Sequence, residues 1–420
     1  MKPYRRQTPV KIRPRRVLLL LVIALVVLGI GGHAWAEWEY RTAQAAIARR
    51  DFAQAQKCLE RCSKVWFLGS KTQLLAARAA RRAGNYDEAA KHLRECQALG
   101  GSDQDIDLEF KLLRAQQGDL KSVEQALWSL VQENHPESVS ILEVLTPAYL
   151  QSFQLNSTEE CISRWLEHEP DSLEAWQYRA QVYARLQIGS KLLTSYSRLV
   201  ELDPANDDFR LQLAGQLAQA REPQKALEQY QYLRPRLGDT PQILCGMAGC
   251  LTALNQPDEA RRLLEEVLAR EPHNALALAE RGRLAMEFES PSEAEKLLRQ
   301  ALAENPTEHD VLYNLFQCLL RQGKNTEAAE VQAKFKAVES DLVQLREAML
   351  QVTVTPHDPE PRYKAGSILL KNGKIKEGLR WLGSALVEDP RHKATHRALA
   401  DYYDQSGDSR RAAQHRKLAL

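Results

Sequence analysis

The feature of this sequence that most constrains its fold is a 34-residue repeat. Three interleaved series of residues recur with this period, and each is interrupted or shifted only where the array changes phase. One series opens the second helix of each predicted unit: Ala55, Ala89 and Val123, then Thr158, Leu192, Ala226, Ala260, Ala294 and Ala328. A second series lies in the first helices, at Ala180, Ala214, Ala248 and Gly282. The third marks the turns between units: Pro136, Pro170, Pro204, Gly238, Pro272 and Pro306.

Each series has a physical cause that favours helical hairpins. A small residue is needed where two helices cross closely, because a larger side chain would push their backbones apart. Proline is tolerated in the first turn of a helix, where its missing N–H has no partner to lose. A hairpin of this length cannot bury its apolar face alone, so it must stack on neighbouring copies. The sequence therefore predicts an all-α stacked array.

The clearest unit spans residues 173–206 and carries a recognisable pattern. Its two helices and closing turn share an aromatic, small and proline signature, formed by Trp176, Ala180, Tyr183, Tyr196 and Pro204. This pattern resembles the tetratricopeptide repeat. The resemblance implies a right-handed α-solenoid of about ten to eleven repeats over residues 36–420, and a non-enzymatic binding scaffold. Residues 36–172 match less well, because Lys111 and Thr146 replace the small residue of the first helix.

The repeat phase predicts the organisation of the chain after residue 36. The predicted solenoid, residues 37–342, divides into units near 36–69, 70–103, 104–138, 139–172, 173–206, 207–240, 241–274, 275–308 and 309–342. A helix extension and loop are expected at 343–358. Two further units and a polar cap are predicted at 359–420.

The amino-terminal region predicts a membrane segment. Residues 1–16 hold seven bases, no acid and three prolines, which is typical of a disordered leader. Residues 17–36 carry no charge over 20 positions, about the length of a transmembrane helix. The alternative is a signal peptide cleaved at Ala36, since Ala34-Trp35-Ala36 satisfies the small-x-small rule. Both interpretations leave the leader in the cytoplasm and place the repeats across the membrane.

The charge balance disfavours nucleic acid as a partner. The whole chain has 57 bases and 55 acids; without the seven bases of the leader, 50 bases face 55 acids, a net charge of −5. Neutralising phosphates requires a basic stripe, which this balance does not supply. A helical-repeat RNA binder is therefore kept only as the lower alternative.

A long run from Thr326 to Val352 lacks glycine and proline and predicts one extended helix. Its apolar residues alternate steps of four and three: Val331, Phe335, Val338, Leu342, Leu345, Met349 and Val352. Such a seam indicates a second helix that continues beneath the next repeat. The alternative is self-association through this seam, which would make the chain an exported oligomerising subunit.

The inner groove supplies the candidate binding residues. In a two-helix solenoid the first helices line this groove, so residues offset from the packing positions are exposed there. Small residues of the middle units would admit a partner closely, and aromatic, amide and Arg side chains further on are typical of interfaces. The predicted groove residues are Gly215, Gly249, Arg283, Tyr313, Asn314, Gln317, Tyr363 and Arg397. The expected partner is a protein or peptide.

Motifs for chemistry are missing from the sequence. It contains no phosphate-binding loop, dinucleotide fingerprint, zinc-protease motif or nucleophile elbow, so we expect no enzymatic activity and no cofactor. The seven cysteines lack paired spacing and are expected in the core, with a Cys62–Cys96 disulfide as the alternative. His392 and His396 are four residues apart, but no third ligand is near in sequence, so no metal is predicted.

Overall fold

The protein is described by a computed structural model over residues 14–62 and 69–420. The side chains of residues 14–22, 24, 25 and 28 lie outside this description. Residues 1–13 of the predicted leader, and several side chains of the predicted membrane segment at residues 17–36, therefore lie outside the described part of the chain. Within the described residues, no helix has an apolar stretch long enough to cross a membrane.

All regular structure in the two described ranges is α-helical, which confirms the all-α prediction. The helices are α1 (Pro14–Ala48), α2 (Phe52–Cys62), α3 (Gly69–Arg82), α4 (Tyr86–Ala98), α5 (Asp103–Gln116), α6 (Glu124–Gln132), α7 (Ser138–Gln151), α8 (Leu155–His168), α9 (Leu173–Arg185), α10 (Gly189–Leu202), α11 (Asp207–Gln219), α12 (Pro223–Leu237), α13 (Pro241–Ala253), α14 (Pro257–Arg270), α15 (Ala275–Phe288), α16 (Pro291–Glu304), α17 (His309–Arg321), α18 (Asn325–Val354), α19 (Pro359–Lys371), α20 (Ile375–Glu388), α21 (Lys393–Gln405) and α22 (Ser409–Leu418). Odd-numbered helices are the first helices of the repeats, and even-numbered helices are the second.

The chain divides into two compact units. Unit 1 ends at Val144 and unit 2 spans Leu145–Leu420, so the boundary falls inside α7. In both units, even-numbered helices pack against the odd-numbered helix of the next repeat, as α2 does with α3 and α12 with α13. The helices that also touch their own counterparts in the next repeat are odd-numbered: α1 with α3 and α3 with α5 in unit 1, and α11 with α13, α13 with α15, α15 with α17 and α19 with α21 in unit 2. The odd-numbered helices therefore form the inner face of each unit.

The helix starts follow from the repeated turn chemistry. Prolines at 223, 257 and 291 occupy the first turn of α12, α14 and α16, where no backbone donor is lost. Asn206 and Asn274 cap α11 and α15: each side-chain oxygen accepts the backbone N–H three residues on, at 3.2 and 3.0 Å. The prolines thus begin the second helix inside a hairpin, and the asparagines begin the first helix of the next hairpin.

Glycine permits two close helix crossings in unit 2. A Cβ atom at Gly282 would lie 2.8 Å from the side chain of Leu298 on the paired helix. At Gly366 it would lie 2.7 Å from Leu382 and 3.0 Å from the carbonyl oxygen of Gly378. These two crossings, α15 with α16 and α19 with α20, need the absent side chain.

The 30-residue helix α18 departs from the repeat geometry. Val331 and Val338 in its first half belong to the core cluster of α15 to α17. Leu345, Met349 and Val352 in its second half belong to a separate cluster with α19 and α20. Phe335 is partly buried and Leu342 is 37% exposed. The chain itself therefore covers most of the seam that the sequence also offered for self-association.

Unit 2 contains a contact between repeats that are distant in sequence. The ring of Phe153, in the turn between α7 and α8, lies 3.9 Å from that of Trp381 on α20. Asn156 donates a hydrogen bond to the carbonyl oxygen of Thr353, 197 residues away, at 3.0 Å. The Arg185 guanidinium stacks 4.7 Å from the Phe153 ring. We call this group the closure contact; its members are Phe153, Asn156, Arg185, Thr353 and Trp381. A solenoid whose repeats touch only their neighbours has no contact of this kind.

Candidate functional site

The inner face of unit 2 presents one position from each of four successive repeats: Gly215, Gly249, Arg283 and Gln317. A Cβ atom at Gly215 would meet nothing within 4 Å, so this position opens directly onto the groove. At Gly249 it would lie 3.4 Å from the Glu280 carboxylate, in ordinary contact. The two glycines leave the backbone of α11 and α13 accessible to a partner.

Arg283 is held beside Gly249. Its guanidinium donates to the Glu280 carboxylate at 2.7 Å and to the Gly249 carbonyl oxygen at 3.4 Å. The structure thus brings two predicted groove residues together and adds a third, Glu280, that sequence reasoning missed. Because the Arg283 guanidinium is already paired with Glu280, a partner would meet oriented hydrogen-bonding groups beside Gly249 rather than an unpaired positive charge.

Tyr313 is the aromatic side chain that α17 exposes on this face, with 46% of its surface accessible. Its ring lies 5.6 Å from Phe335 of α18, and Phe335 in turn lies 4.7 Å from His309. Asn314 and Gln317 are half-buried on the same helix. Packing against Phe335 fixes the Tyr313 ring while its outer side stays open, which suits an interface anchor.

Tyr363 lies on α19 and is half-buried. Its ring meets that of His392 edge-on at 5.7 Å, and His392 is 3.4 Å from the Glu360 carboxylate. Helix α18 packs against both α17, which carries Tyr313, and α19, which carries Tyr363. Arg397 is exposed on α21, and in the described ranges it makes no ion pair or hydrogen bond.

An open cleft of about 640 Å³ lies between α18 and α19. Its walls combine polar and apolar groups: Gln344, Glu347 and Ala348 come from α18, and Glu360, Lys364 and Ile368 from α19, which also contributes Tyr363. We call it the α18–α19 cleft. Sequence reasoning missed the cleft, although its signal was present: the turn prolines Pro306 and Pro356 are 50 residues apart instead of 34. The extra residues lengthen α18 to 30 residues, whereas the second helix α16 of a regular repeat has 14.

The inner face of unit 1 carries a buried ion-pair network that sequence reasoning also missed. Glu109 accepts from Arg81 at 2.8 Å and from Arg78 at 2.9 Å. Arg78 also reaches Glu137 at 3.0 Å, and Arg82 reaches Glu143 at 2.6 Å. Burial lowers the pKa of Arg78, but the carboxylates of Glu109, Glu137 and Asp105 outweigh it and leave that pKa raised.

This network fastens helices and leaves no open anion site. The neighbouring cavity of about 220 Å³ is lined by Arg78, Arg81 and Arg82, yet each of these guanidinium groups already faces a carboxylate. Buried charges of this kind are tolerated because they are paired. The sequence signal was three arginines within five residues of one first helix.

The cysteines offer no nucleophile. All seven are buried and free, and burial raises the pKa of Cys245 to about 12 and that of Cys62 to about 11. A thiol with a raised pKa is protonated at neutral pH and reacts poorly. Cys62 and Cys96 are not joined by a disulfide.

The two histidines considered for metal binding are engaged elsewhere. His392 faces Thr395 at 2.8 Å, and His396 lies between the His415 ring at 2.9 Å and the Pro390 carbonyl oxygen at 3.1 Å. No group of three or more potential ligands among the described side chains could hold a metal ion.

Comparison with known proteins supports the repeat assignment. Models of the tetratricopeptide repeat match residues 40–103 and 251–307, and another such model matches residues 285–334. These parts of the chain are therefore tetratricopeptide repeats, as the sequence pattern predicted. No curated protein matches the sequence significantly.

Several solved structures resemble this chain at low similarity. PilW, a type IV pilus biogenesis factor, is 18% identical with a TM-score of 0.38, over 47% of this chain and 92% of PilW. A tetratricopeptide repeat protein from Parabacteroides merdae is 14% identical with a TM-score of 0.34, over 68% of this chain and 99% of that protein. The human IFIT1 dimer with m7Gppp-AAAA is 16% identical with a TM-score of 0.36, over 84% of this chain and 89% of IFIT1. At these values the resemblances do not indicate what this chain binds.

Proposed function

We propose that this chain is a non-enzymatic scaffold that holds a protein or peptide partner on the inner face of unit 2. The observation that carries the proposal is the exposed inner-face series, in which glycines at 215 and 249 open the groove and Tyr313 stands exposed but fixed against Phe335. The repeats make the surface rigid, so little ordering free energy is lost when a partner binds. Aromatic anchors such as Tyr313 then supply most of the binding free energy.

The proposal includes a membrane tether at residues 17–36. It is supported by the 20 uncharged residues and by seven bases on their amino-terminal side, which favour a cytoplasmic leader and extracytoplasmic repeats. Mass spectrometry of the amino-terminal peptide from native membranes tests it. A mature chain starting at Glu37 would replace the tether with an exported protein. The expectation that no nucleic acid binds rests on the charge balance and stays a prediction.

The binding face is tested by crosslinking the full chain in native membranes and identifying what it captures. A Tyr313→Ala, Tyr363→Ala double variant should lose the partner that the parent captures. Tyr232→Ala is the matched control, because Tyr232 is similarly exposed, at 42%, but lies on the even-numbered helix α12. Retention of every partner by the double variant would contradict the proposed face.

A further inference from the structure

We propose that the α18–α19 cleft, together with an apolar stripe beside it, binds an amphipathic helix with basic residues, supplied by a partner protein. This inference rests on the proposed function and specifies the chemistry of the partner. It is carried by three observations: an apolar stripe without a covering element, an excess of acidic groups, and the position of one glutamate between the two.

The apolar stripe consists of Val343, Leu350 and Val354 on α18, which are 46%, 62% and 68% exposed. Their spacings of seven and four residues place them on one face of the helix. Leu345 and Val352, which are buried against the cluster of α19 and α20, lie on the opposite face. The second half of α18 is therefore apolar on two sides, and the chain covers only one of them.

The cleft carries an excess of negative charge. Glu347, Asp358 and Glu360 line it against the single cation Lys364, which lies 3.7 Å from Glu360. Glu347 and Asp358 form no ion pair with any described residue, although the Asp358 carboxylate accepts the backbone N–H of Glu360 at 2.9 Å at the start of α19. A basic ligand would complement these carboxylates, whereas an acidic ligand or an anionic lipid surface would be repelled.

Glu347 joins the stripe and the cleft into one surface. At 100° per residue it lies roughly 40° from Val343 around the helix axis, between the stripe and the cleft residues Gln344 and Gln351. From Val343 to Val354 the stripe runs about 16 Å, which is three turns of a helix. A ligand helix of three to four turns can therefore place its apolar face on the stripe and a basic flank over Glu347, as in helix-in-groove recognition.

The basic helix of this chain itself suits the cleft less well. Helix α22 carries Arg411 and Arg416, but Arg411 pairs with Asp408 and Arg416 with Asp404 inside the same hairpin. The other residues of α22 include Arg410 and Lys417, but Leu418 is the single large apolar side chain of this helix. Helix α22 therefore lacks the apolar face needed to cover the stripe, so a second copy of the chain is disfavoured as the occupant.

The test uses two synthetic 14-residue helical peptides with the same leucine face, one with lysine and one with glutamate on the flanks. Binding to the full chain is followed by fluorescence anisotropy. The lysine peptide should bind at least about tenfold more tightly, and added salt should reduce this advantage. Glu347→Lys should abolish the preference, and Leu350→Asp should weaken the lysine peptide's binding. Val387→Asp is the control: Val387 is 64% exposed but lies on α20.

Three results would overturn the inference. The first is equal affinity for the two peptides, which would remove the role of charge. The second is a concentration-dependent dimer in sedimentation velocity that Leu350→Asp dissolves, because a second copy would then occupy the stripe. The third is no binding of either peptide while the single variant Tyr313→Ala, whose changed residue lies outside the cleft, still loses its captured partner. That last result would leave the proposed scaffold function standing without this partner chemistry.

Discussion

Two stretches of unit 2 use the same repeat in different ways. From α11 to α16 the second helices start at prolines 34 residues apart, and the odd-numbered helices touch in succession. From α17 to α20 the second helix is 30 residues long, a cleft opens beside it, and α20 reaches the turn between α7 and α8 through Phe153 and Trp381. The regular stretch is stabilised by contacts between neighbouring repeats. The lengthened stretch is also stabilised by the turn between α7 and α8, which is distant in sequence.

The difference shows what one inserted stretch does to a solenoid. Lengthening α18 exposes a second face of that helix at Val343, Leu350 and Val354. The closure contact then packs α20 against the turn between α7 and α8. Additional apolar surface is therefore exposed where the repeat is broken, besides the inner face that Gly215 and Gly249 leave open in the unbroken part.

The largest expected effect comes from Trp381→Ala in the closure contact. Trp381 is 1% exposed, and removing such a side chain typically costs about 3–5 kcal/mol. Hydrogen exchange of the full chain should show lost protection in α18 to α20 and also in the turn between α7 and α8. Leu264→Ala, at a fully buried position of α14, is the control and should affect only α13 to α15. An unchanged α7–α8 turn in Trp381→Ala would contradict the closure contact.

The sequence predicted the fold well wherever the 34-residue period operates. The all-α fold and the repeats follow from residues such as Ala226 and Pro204, because local helix and turn chemistry is repeated at each of them. The period describes only contacts between neighbours, so it could not predict that Phe153 meets Trp381. The α18–α19 cleft was missed for a related reason: a break in phase locates an insertion but does not show which face it opens.

The candidate site was predictable only position by position. Periodicity identified Gly249 and Arg283 separately, and the structure adds that their contact depends on Glu280. Pairing between charged side chains is not visible in a pattern of apolar and small residues. The unit 1 network of Arg78, Arg81 and Glu109 was missed for the same reason.

A pair of glycine variants gives the next largest effect. Gly366→Ala puts a Cβ atom 2.7 Å from Leu382 in the lengthened stretch, and such overpacking costs about 1–3 kcal/mol. Gly215→Ala adds a methyl group in open space within a helix of the regular stretch, which should stabilise it by about 0.5–1 kcal/mol. Urea unfolding of both variants measures the difference. Equal changes of the same sign would show that the two stretches pack alike.

Low pH should weaken the interactions of Glu295 on α16 with Gln322 and Lys324, which join the regular stretch to the lengthened one. Burial raises the pKa of Glu295 on α16, but Lys324, Arg299 and Gln322 outweigh it and bring this pKa from 4.5 to about 2. The folded state therefore holds the carboxylate ionised, and its stabilisation is present above about pH 4.5 and lost as the pH falls toward 2. Melting temperatures at pH 7 and pH 3 should differ less in Glu295→Gln than in the parent. Glu293→Gln, which alters a partly exposed carboxylate two residues away on the same helix, should leave the parent's difference unchanged.

The smallest expected effect on stability is that of Tyr313→Ala. Its ring is 46% exposed, and substitutions at such surface positions usually change the free energy of unfolding by about 0.5 kcal/mol or less. Tyr183→Ala should cost more, since Tyr183 is 7% exposed and donates a hydrogen bond to Glu159 at 2.8 Å. Denaturant unfolding compares the two variants. A loss in Tyr313→Ala as large as that in Tyr183→Ala would assign Tyr313 to the core rather than to a binding face.

The central claim is that the lengthened stretch takes part in holding the partner. The most direct measurement places a photo-crosslinking amino acid at Tyr363 in the α18–α19 cleft or at Tyr232 on the even-numbered helix α12, in the full chain in native membranes. We predict a discrete crosslinked product from position 363, whose captured peptide is basic with apolar residues at helical spacing, and none from position 232. A product from position 232 alone, or an acidic peptide captured at position 363, would contradict the account.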